Sequence, residues 1–348
     1  MIIRTVVVCD AQVPFVEGGA ESHVSELVHQ LRTHGYDTEC VRLPFKWYPK
    51  PEILAHTAAW RLLDLSESNG RPIDLVIGTR FPTYFARHPN KVVWLIHQYR
   101  AAYELAGTPF SDFLHNEADV ALRQRLIALD TEMLGECRKL FTNAGNTAKR
   151  VARFNGLHAE PLYHPPRLAA KLHDGPGGSY VLSVGRLESV KRVDLTIRAM
   201  THAPEDLSLI IAGTGTQQQA FAALAESLGV ANRVRFLGQV GDDALLELYA
   251  GALGVIFPPF DEDYGYVTLE AFLSHKPVIT TTDSGGPNEF VVDGVNGYVC
   301  PPDPVAIGEA IARLHANRAQ ARAFGDAGYE RARTITWTGV IEKLVNGR

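Results

Sequence analysis

Two glutamates, Glu262 and Glu270, flank seven residues in the stretch Phe260-Asp-Glu-Asp-Tyr-Gly-Tyr-Val-Thr-Leu-Glu270, with Gly265 between them and a helix-prone segment following. A helix starting near Tyr266 would turn the unpaired N–H groups of its first turn, and the positive end of its dipole, toward a phosphate. Eight helical residues rise about 12 Å, an upper guide because Glu262 belongs to the preceding loop. Two carboxylates acting on one glycosidic bond stand only about 5 to 9.5 Å apart. The longer spacing suits an elongated ligand with hydroxyls at both ends and phosphates between them. A nucleotide-sugar has that shape, with one glutamate for the sugar and the other for the ribose. The plainer alternative is a solvated acidic turn followed by an amphipathic core helix.

Other candidates follow apolar runs. Val181-Leu-Ser-Val-Gly185 leads into Arg186, with Lys191 five residues on. Two cations there could neutralise a departing pyrophosphate without a metal; Arg192 reads as the solvated member of the group. Leu209-Ile-Ile-Ala-Gly-Thr-Gly215 supplies Gly213 and Gly215, but residue 218 is Gln, so the dinucleotide fingerprint is incomplete. The first apolar run enters Asp10-Ala-Gln-Val-Pro14 with no such fingerprint, which weighs against an NAD or FAD enzyme. Gly18 and Gly19 precede a helical stripe, where backbone N–H groups can approach a phosphate or acceptor. His97 follows the run Val92–Ile96. Asp261 and Asp263 also form an Asp-x-Asp, a spacing that holds Mn²⁺ or Mg²⁺ in some sugar transferases. A metal-free site is the expectation here, because the cations already serve the diphosphate.

These residues need strand ends to position them. Buried strands are expected at about 2–9, 74–78, 92–96 and 139–142, then at 180–185, 207–212, 233–237, 253–257 and 276–280. Helices are expected between them, clearest at 20–33, 216–229 and 266–274. Strand alternating with helix predicts an α/β protein with parallel sheets covered by helices. Tyr163-His-Pro-Pro-Arg167 and Asp174-Gly-Pro-Gly-Gly178 read as the boundary between two Rossmann-like, doubly wound domains facing a central cleft.

With 348 residues, 46% hydrophobic and 21% charged, the chain has enough apolar material for two cores. Residues 1–170 carry 19 Lys and Arg against 18 Asp and Glu, and the remainder 15 against 21, giving the net charge of −5. That balance lacks the basic footprint of a nucleic-acid binder. The four scattered cysteines form no C-x-x-C pair and point to a reducing cytoplasm. The N-terminal run reads as a strand and not a signal peptide. No apolar stretch reaches the roughly 18 residues of a membrane span, which leaves peripheral association at the inner membrane surface open.

Taken together the motifs resemble the retaining glycosyltransferases of family 4, with the GT-B fold and a Glu-x7-Glu signature at Glu262 and Glu270. Val184-Gly-Arg-Leu187 with Lys191, Gly213-Thr-Gly215, Phe236-Leu-Gly238, and Gly285-Gly-Pro-Asn-Glu289 with Gly294 and Gly297 match its nucleotide domain. Gly18-Gly-Ala-Glu21 and His97 match its N-terminal side, and Trp337 the segment that returns to that side. The resemblance implies an acceptor-side domain over 1–170, joined by a helix at about 334–348, and a donor domain over 176–333.

It further implies a nucleotide-sugar co-substrate (UDP-, GDP- or ADP-sugar), no other cofactor, and a glycan, lipid or small-metabolite acceptor. Glu270 would hold the ribose, Arg186 and Lys191 the diphosphate, and Glu262 with the backbone of Gly265, Tyr266 and Val267 the sugar. His97 would line the sugar pocket, and Gly19 would lie near phosphate or acceptor. Two departures stand out: Asp263 replaces a common small residue, and Arg192 replaces a frequent glycine. An epimerase or phosphorylase on the same fold, or a non-catalytic nucleotide-sugar binder, is the alternative.

Overall fold

The structure is a computed structural model that describes residues 3–15 and 18–346. The chain forms two compact units, Met1–His164 with Thr336–Arg348, and Pro165–Ile335.

In chain order the first unit contains β1 (Thr5–Gln12), α1 (Gly19–Thr33), β2 (Asp37–Pro44), α2 (Glu52–Leu62), a two-residue hairpin of β3 (Glu67–Ser68) and β4 (Arg71–Pro72), β5 (Leu75–Gly78), β6 (Lys91–Leu95), α3 (Glu117–Gly135), β7 (Lys139–Thr142), α4 (Gly145–Asn155) and β8 (Glu160–Pro161). Its sheet has the order β2-β1-β5-β6-β7-β8 and is parallel throughout. The second unit runs through β9 (Tyr180–Val184), α5 (Val193–Ala199), β10 (Ser208–Ala212), α6 (Gln218–Ser227), β11 (Val234–Gly238), α7 (Asp242–Gly251), β12 (Gly254–Ile256), α8 (Tyr266–Leu273), β13 (Val278–Thr281), β14 (Gly297–Cys300), α9 (Pro304–Ala316) and α10 (Arg318–Ala332). Its parallel sheet has the order β11-β10-β9-β12-β13-β14. The chain direction across the sheet reverses between β9 and β12. Ligands of open α/β sheets bind outside the strand carboxyl ends at such a switch.

The central strands are apolar on both faces because helices cover both: every residue of β5, β6, β12 and β13 is buried. Helix α1 buries Val24, Leu27, Val28 and Leu31, the stripe expected from sequence, and also His23. The first strand lies at Thr5–Gln12 and not 2–9, so Asp10 is part of the strand and not of the loop after it; Ile2 lies outside the described residues. The final helix, α11 (Trp337–Asn346), buries Val340, Ile341, Leu344 and Val345 in the core of the first unit beside Val8, Leu27 and Trp94. Residues 347 and 348 of the expected 334–348 helix lie outside the described residues.

Candidate active site

Four segments of the second unit leave the carboxyl ends of β9, β10, β12 and β13 and are laced together. Leu187 N–H donates to Thr214 O at 2.9 Å and Gln217 N–H to Leu187 O at 3.0 Å. Glu188 accepts from Thr216 N–H and Oγ1. Phe260 N–H donates to Val190 O, Asp261 N–H to Asp283 O, Glu262 N–H to Ser284 O, and Gly286 N–H to Glu262 O, all between 2.8 and 2.9 Å. The glycines of Gly213-x-Gly215 are required by this lacing. A Cβ on Gly213 would stand 1.9 Å from Gly185 O, and one on Gly215 would stand 2.5 Å from Leu187 O. The Gly213 N–H is given to Gly238 O. Close backbone approach to the Arg186 segment is therefore what these two residues do in the fold.

Glu262 and Lys191 are in direct contact: Lys191 Nζ donates to Glu262 Oε2, and both side chains are about one-sixth exposed. The ammonium also sits 6.0 Å from the centroid of the Phe257 ring. Arg186 is exposed, and its guanidinium has no hydrogen-bond or ion-pair partner among the described residues. An exposed cation without such a partner, on the same loop after β9 as the mostly buried Lys191, can receive an anionic group without first breaking a bond.

Arg192 is not the solvated cation that the sequence suggests. Its Nε donates to Pro258 O, its Nη1 to Asp283, and its Nη2 to Pro259 O, Thr281 Oγ1 and Asp283, at 2.7 to 2.9 Å. Its backbone is left-handed, with φ 51° and ψ 43°, as suits a place where glycine is frequent. Burial raises the Asp283 pKa, but the bonds from Arg192 and Thr281 outweigh it and leave the carboxyl below its usual range.

Helix α8 begins at Tyr266, so Glu262 is in the preceding loop and Glu270 is in the helix. Gly265 precedes it with φ 80°, and a Cβ there would stand 2.9 Å from Pro287. The residue at the N-cap of this helix is Gly265, which has no side chain to cap it. Glu270 accepts a hydrogen bond from Tyr249 Oη at 2.7 Å. Burial raises its pKa, partly offset by Tyr249 and by the charge of Arg167. Asp263 is buried and Asp261 partly so. Among the described residues no group of three or more His, Cys, Asp or Glu side chains is assembled as a metal set. A cavity of about 210 Å³ opens beside Leu253, Lys276 and Pro277, at the amino ends of β12 and β13. That is the opposite edge from these residues. Its Lys276 and Arg318 are bonded to the carbonyls of Gly175, Gly177 and Gly178.

His97, Gly18 and Gly19 belong to the first unit. His97 follows β6, and its Nδ1 is 2.8 Å from Gln98 O. A carbonyl only accepts, so Nδ1 carries a proton. Gly18 is the N-cap of α1 and Gly19 its first residue, so the N-cap position has no side chain of its own. Sequence reasoning missed the ion network beside them: buried Arg80 pairs with Asp10 at 2.9 Å and with Glu21 at 2.8 Å. It also missed Tyr249. Neither has a local signal, since the partners are 70 and 21 residues apart.

Residues 168–331 match the family model of glycosyl transferases group 1. The segment contains Arg186, Lys191, Glu262 and Glu270. Over 241 residues the chain is 30% identical to a D-inositol 3-phosphate glycosyltransferase of Mycolicibacterium gilvum, a stretch covering 63% of this chain and 53% of that one. The chain spans about half the length of the curated relatives it matches. Sucrose-phosphate synthase of Thermosynechococcus elongatus superposes with a TM-score of 0.78 at 17% identity, covering 99% of this chain and 98% of that one. The structure of Anabaena Alr3699/HepE in complex with UDP and glucose gives 0.71 at 18%, with the same coverage. The two parallel-sheet α/β units thus have the fold of GT-B glycosyltransferases.

Proposed function

We propose that the protein is a retaining, metal-independent glycosyltransferase that moves a hexose from a UDP-sugar to a hydroxyl of a carbohydrate, lipid or small metabolite. The observation that carries this reading is the Lys191–Glu262 pair, with the exposed Arg186 on the same loop after β9, held at the strand switch point inside the segment that matches glycosyl transferases group 1. UDP is chosen because the Anabaena neighbour is described with UDP and with UDP-glucose. The relative named for D-inositol 3-phosphate makes a polyol phosphate the first acceptor to try.

Arg186 and Lys191 take the diphosphate, and Glu262 with the start of α8 takes the sugar. Glu270 takes the ribose. In the first unit, His97 and the Gly18–Gly19 helix start are assigned to hydroxyl and phosphate contacts. The bond from the anomeric carbon to the diphosphate oxygen breaks while the acceptor oxygen bonds on the same face. The acceptor proton passes to the departing phosphate oxygen. Charge grows on that phosphate, so fixed cations lower the barrier more than they tighten donor binding.

The test is calorimetry with UDP-, GDP- and ADP-sugars, with and without EDTA, followed by turnover of the donor that binds. Selective binding that survives EDTA is expected. Arg186→Ala should lower kcat by about 10²- to 10³-fold, the cost of removing one charge-stabilising donor. Near-normal turnover in that variant would remove Arg186 from the mechanism. Binding abolished by EDTA would favour a metal at Asp261 and Asp263.

A further inference from the structure

Tyr249, in α7, has no exposed surface, and its hydroxyl is bonded to Oε2 of Glu270 in α8. A buried phenol needs a partner for its O–H, and this one has spent that need on a carboxylate. The other carboxylate oxygen, Oε1, has no partner among the described residues and is not sealed from solvent. The terminal torsion of a glutamate is broad and two-fold. A bond to one oxygen therefore selects the carboxylate plane and aims the other oxygen. Half-buried, anchored on one side and open on the other, the group is prepared to accept a hydroxyl in a charge-assisted bond.

We propose that Tyr249 is a positioning residue for donor recognition, fixing Glu270 so that Oε1 accepts a ribose hydroxyl and the protein prefers ribo- over deoxyribonucleotides. This rests on the reading that Glu270 takes the ribose. A merely structural Tyr249, stapling α7 to α8, would alter stability but not the ratio of affinities for the two sugars.

The experiment measures binding of UDP and GDP, and of their 2′-deoxy and 3′-deoxy forms, to wild type, Tyr249→Phe, Glu270→Gln and the double variant. Phenylalanine keeps the ring, so packing is preserved, and a melting curve checks each variant. The expected result is a preference for ribose over one deoxy form that Glu270→Gln abolishes and Tyr249→Phe cuts about tenfold, the scale of a hydrogen bond to a charged group. In the Glu270→Gln background, Tyr249→Phe should have no further effect on that preference.

The acid limb supplies a second readout. Donor binding needs the carboxylate ionised and is lost as pH falls through the Glu270 pKa, which burial already raises. Removing the Tyr249 bond, which favours the ionised form, should move that loss to higher pH. If Glu270→Gln abolishes the preference but Tyr249→Phe leaves both it and the acid limb unchanged, the positioning role is overturned and the ribose reading stands. If Glu270→Gln leaves the preference intact, both are overturned.

Discussion

Arg192 shows how one side chain can hold a left-handed backbone. For a residue with a Cβ that conformation costs roughly 1 to 2 kcal/mol. It persists here because the guanidinium bonds the 258–259 carbonyls, Thr281 and Asp283 at once. Those bonds fix the turn that carries Lys191 against the loop that carries Glu262. Two variants separate the terms. Arg192→Gly loses the bonds but relieves the backbone, whereas Arg192→Ala loses the bonds and keeps the strain. By denaturant titration both should be less stable than wild type, with the alanine variant lower than the glycine variant by about 1 kcal/mol. A glycine variant as stable as wild type would mean that the bonds contribute no more than the strain costs. The sequence showed a cation where a glycine is frequent. It did not show the destination of the guanidinium, because Asp283 lies 91 residues away.

At the scale of elements, legibility followed burial. The central strands β5, β6, β9, β10, β12 and β13 are buried on both faces and read as apolar runs. The edge strand β2 has only one buried residue in eight and gave no such run. Helix α3 was not among the clear helices for another reason: Asp119 and Asp130 occupy buried positions, paired with Lys50 and Tyr103, and interrupt the apolar stripe. Helix α11 is the opposite case, with four apolar side chains buried at helical spacing. Leu344→Ala should cost 2 to 5 kcal/mol, roughly the range for a buried leucine; a loss under about 1 kcal/mol would mean the helix is only loosely docked. Its Trp337 adjoins the buried His23–His164 pair through His164, whose ring is 5.4 Å away, and the two histidines share a 2.9 Å bond. Burial lowers both pKa values, that of His23 to about 3. Their contribution to stability is therefore complete above the unfolded value near 6.5 and fades as pH falls below it. The first unit should unfold at lower denaturant at pH 5 than at pH 7.5. Fluorescence of Trp94, 5.0 Å from His164, and of Trp337 would report it. Equal midpoints at the two pH values would contradict the assignment.

For the whole molecule, division of labour follows from where each group resides. All four tryptophans, at 47, 60, 94 and 337, fall in the first unit. Arg186 and Lys191, assigned to the diphosphate, and Glu270, assigned to the ribose, fall in the second, which has its own apolar core around Val181, Ile211 and Ile256. A ligand stabilises what it binds by an amount set by its concentration over Kd, about 2.7 kcal/mol at a hundredfold excess. UDP alone, lacking the sugar, should therefore slow hydrogen exchange most in 185–191, 213–217 and 258–270. Strands β5 and β6 should exchange at their unliganded rates, and the tryptophan transition should move less than the far-UV transition. The laced backbone bonds give the reason for the pattern: Leu187–Thr214, Phe260–Val190 and Glu262–Ser284 are shared between segments, so fixing one fixes the others. Protection confined to a single segment would show that the lacing does not transmit binding. Protection concentrated in β5 and β6 would move the nucleotide to the first unit and overturn the roles assigned to Arg186, Lys191 and Glu270 together.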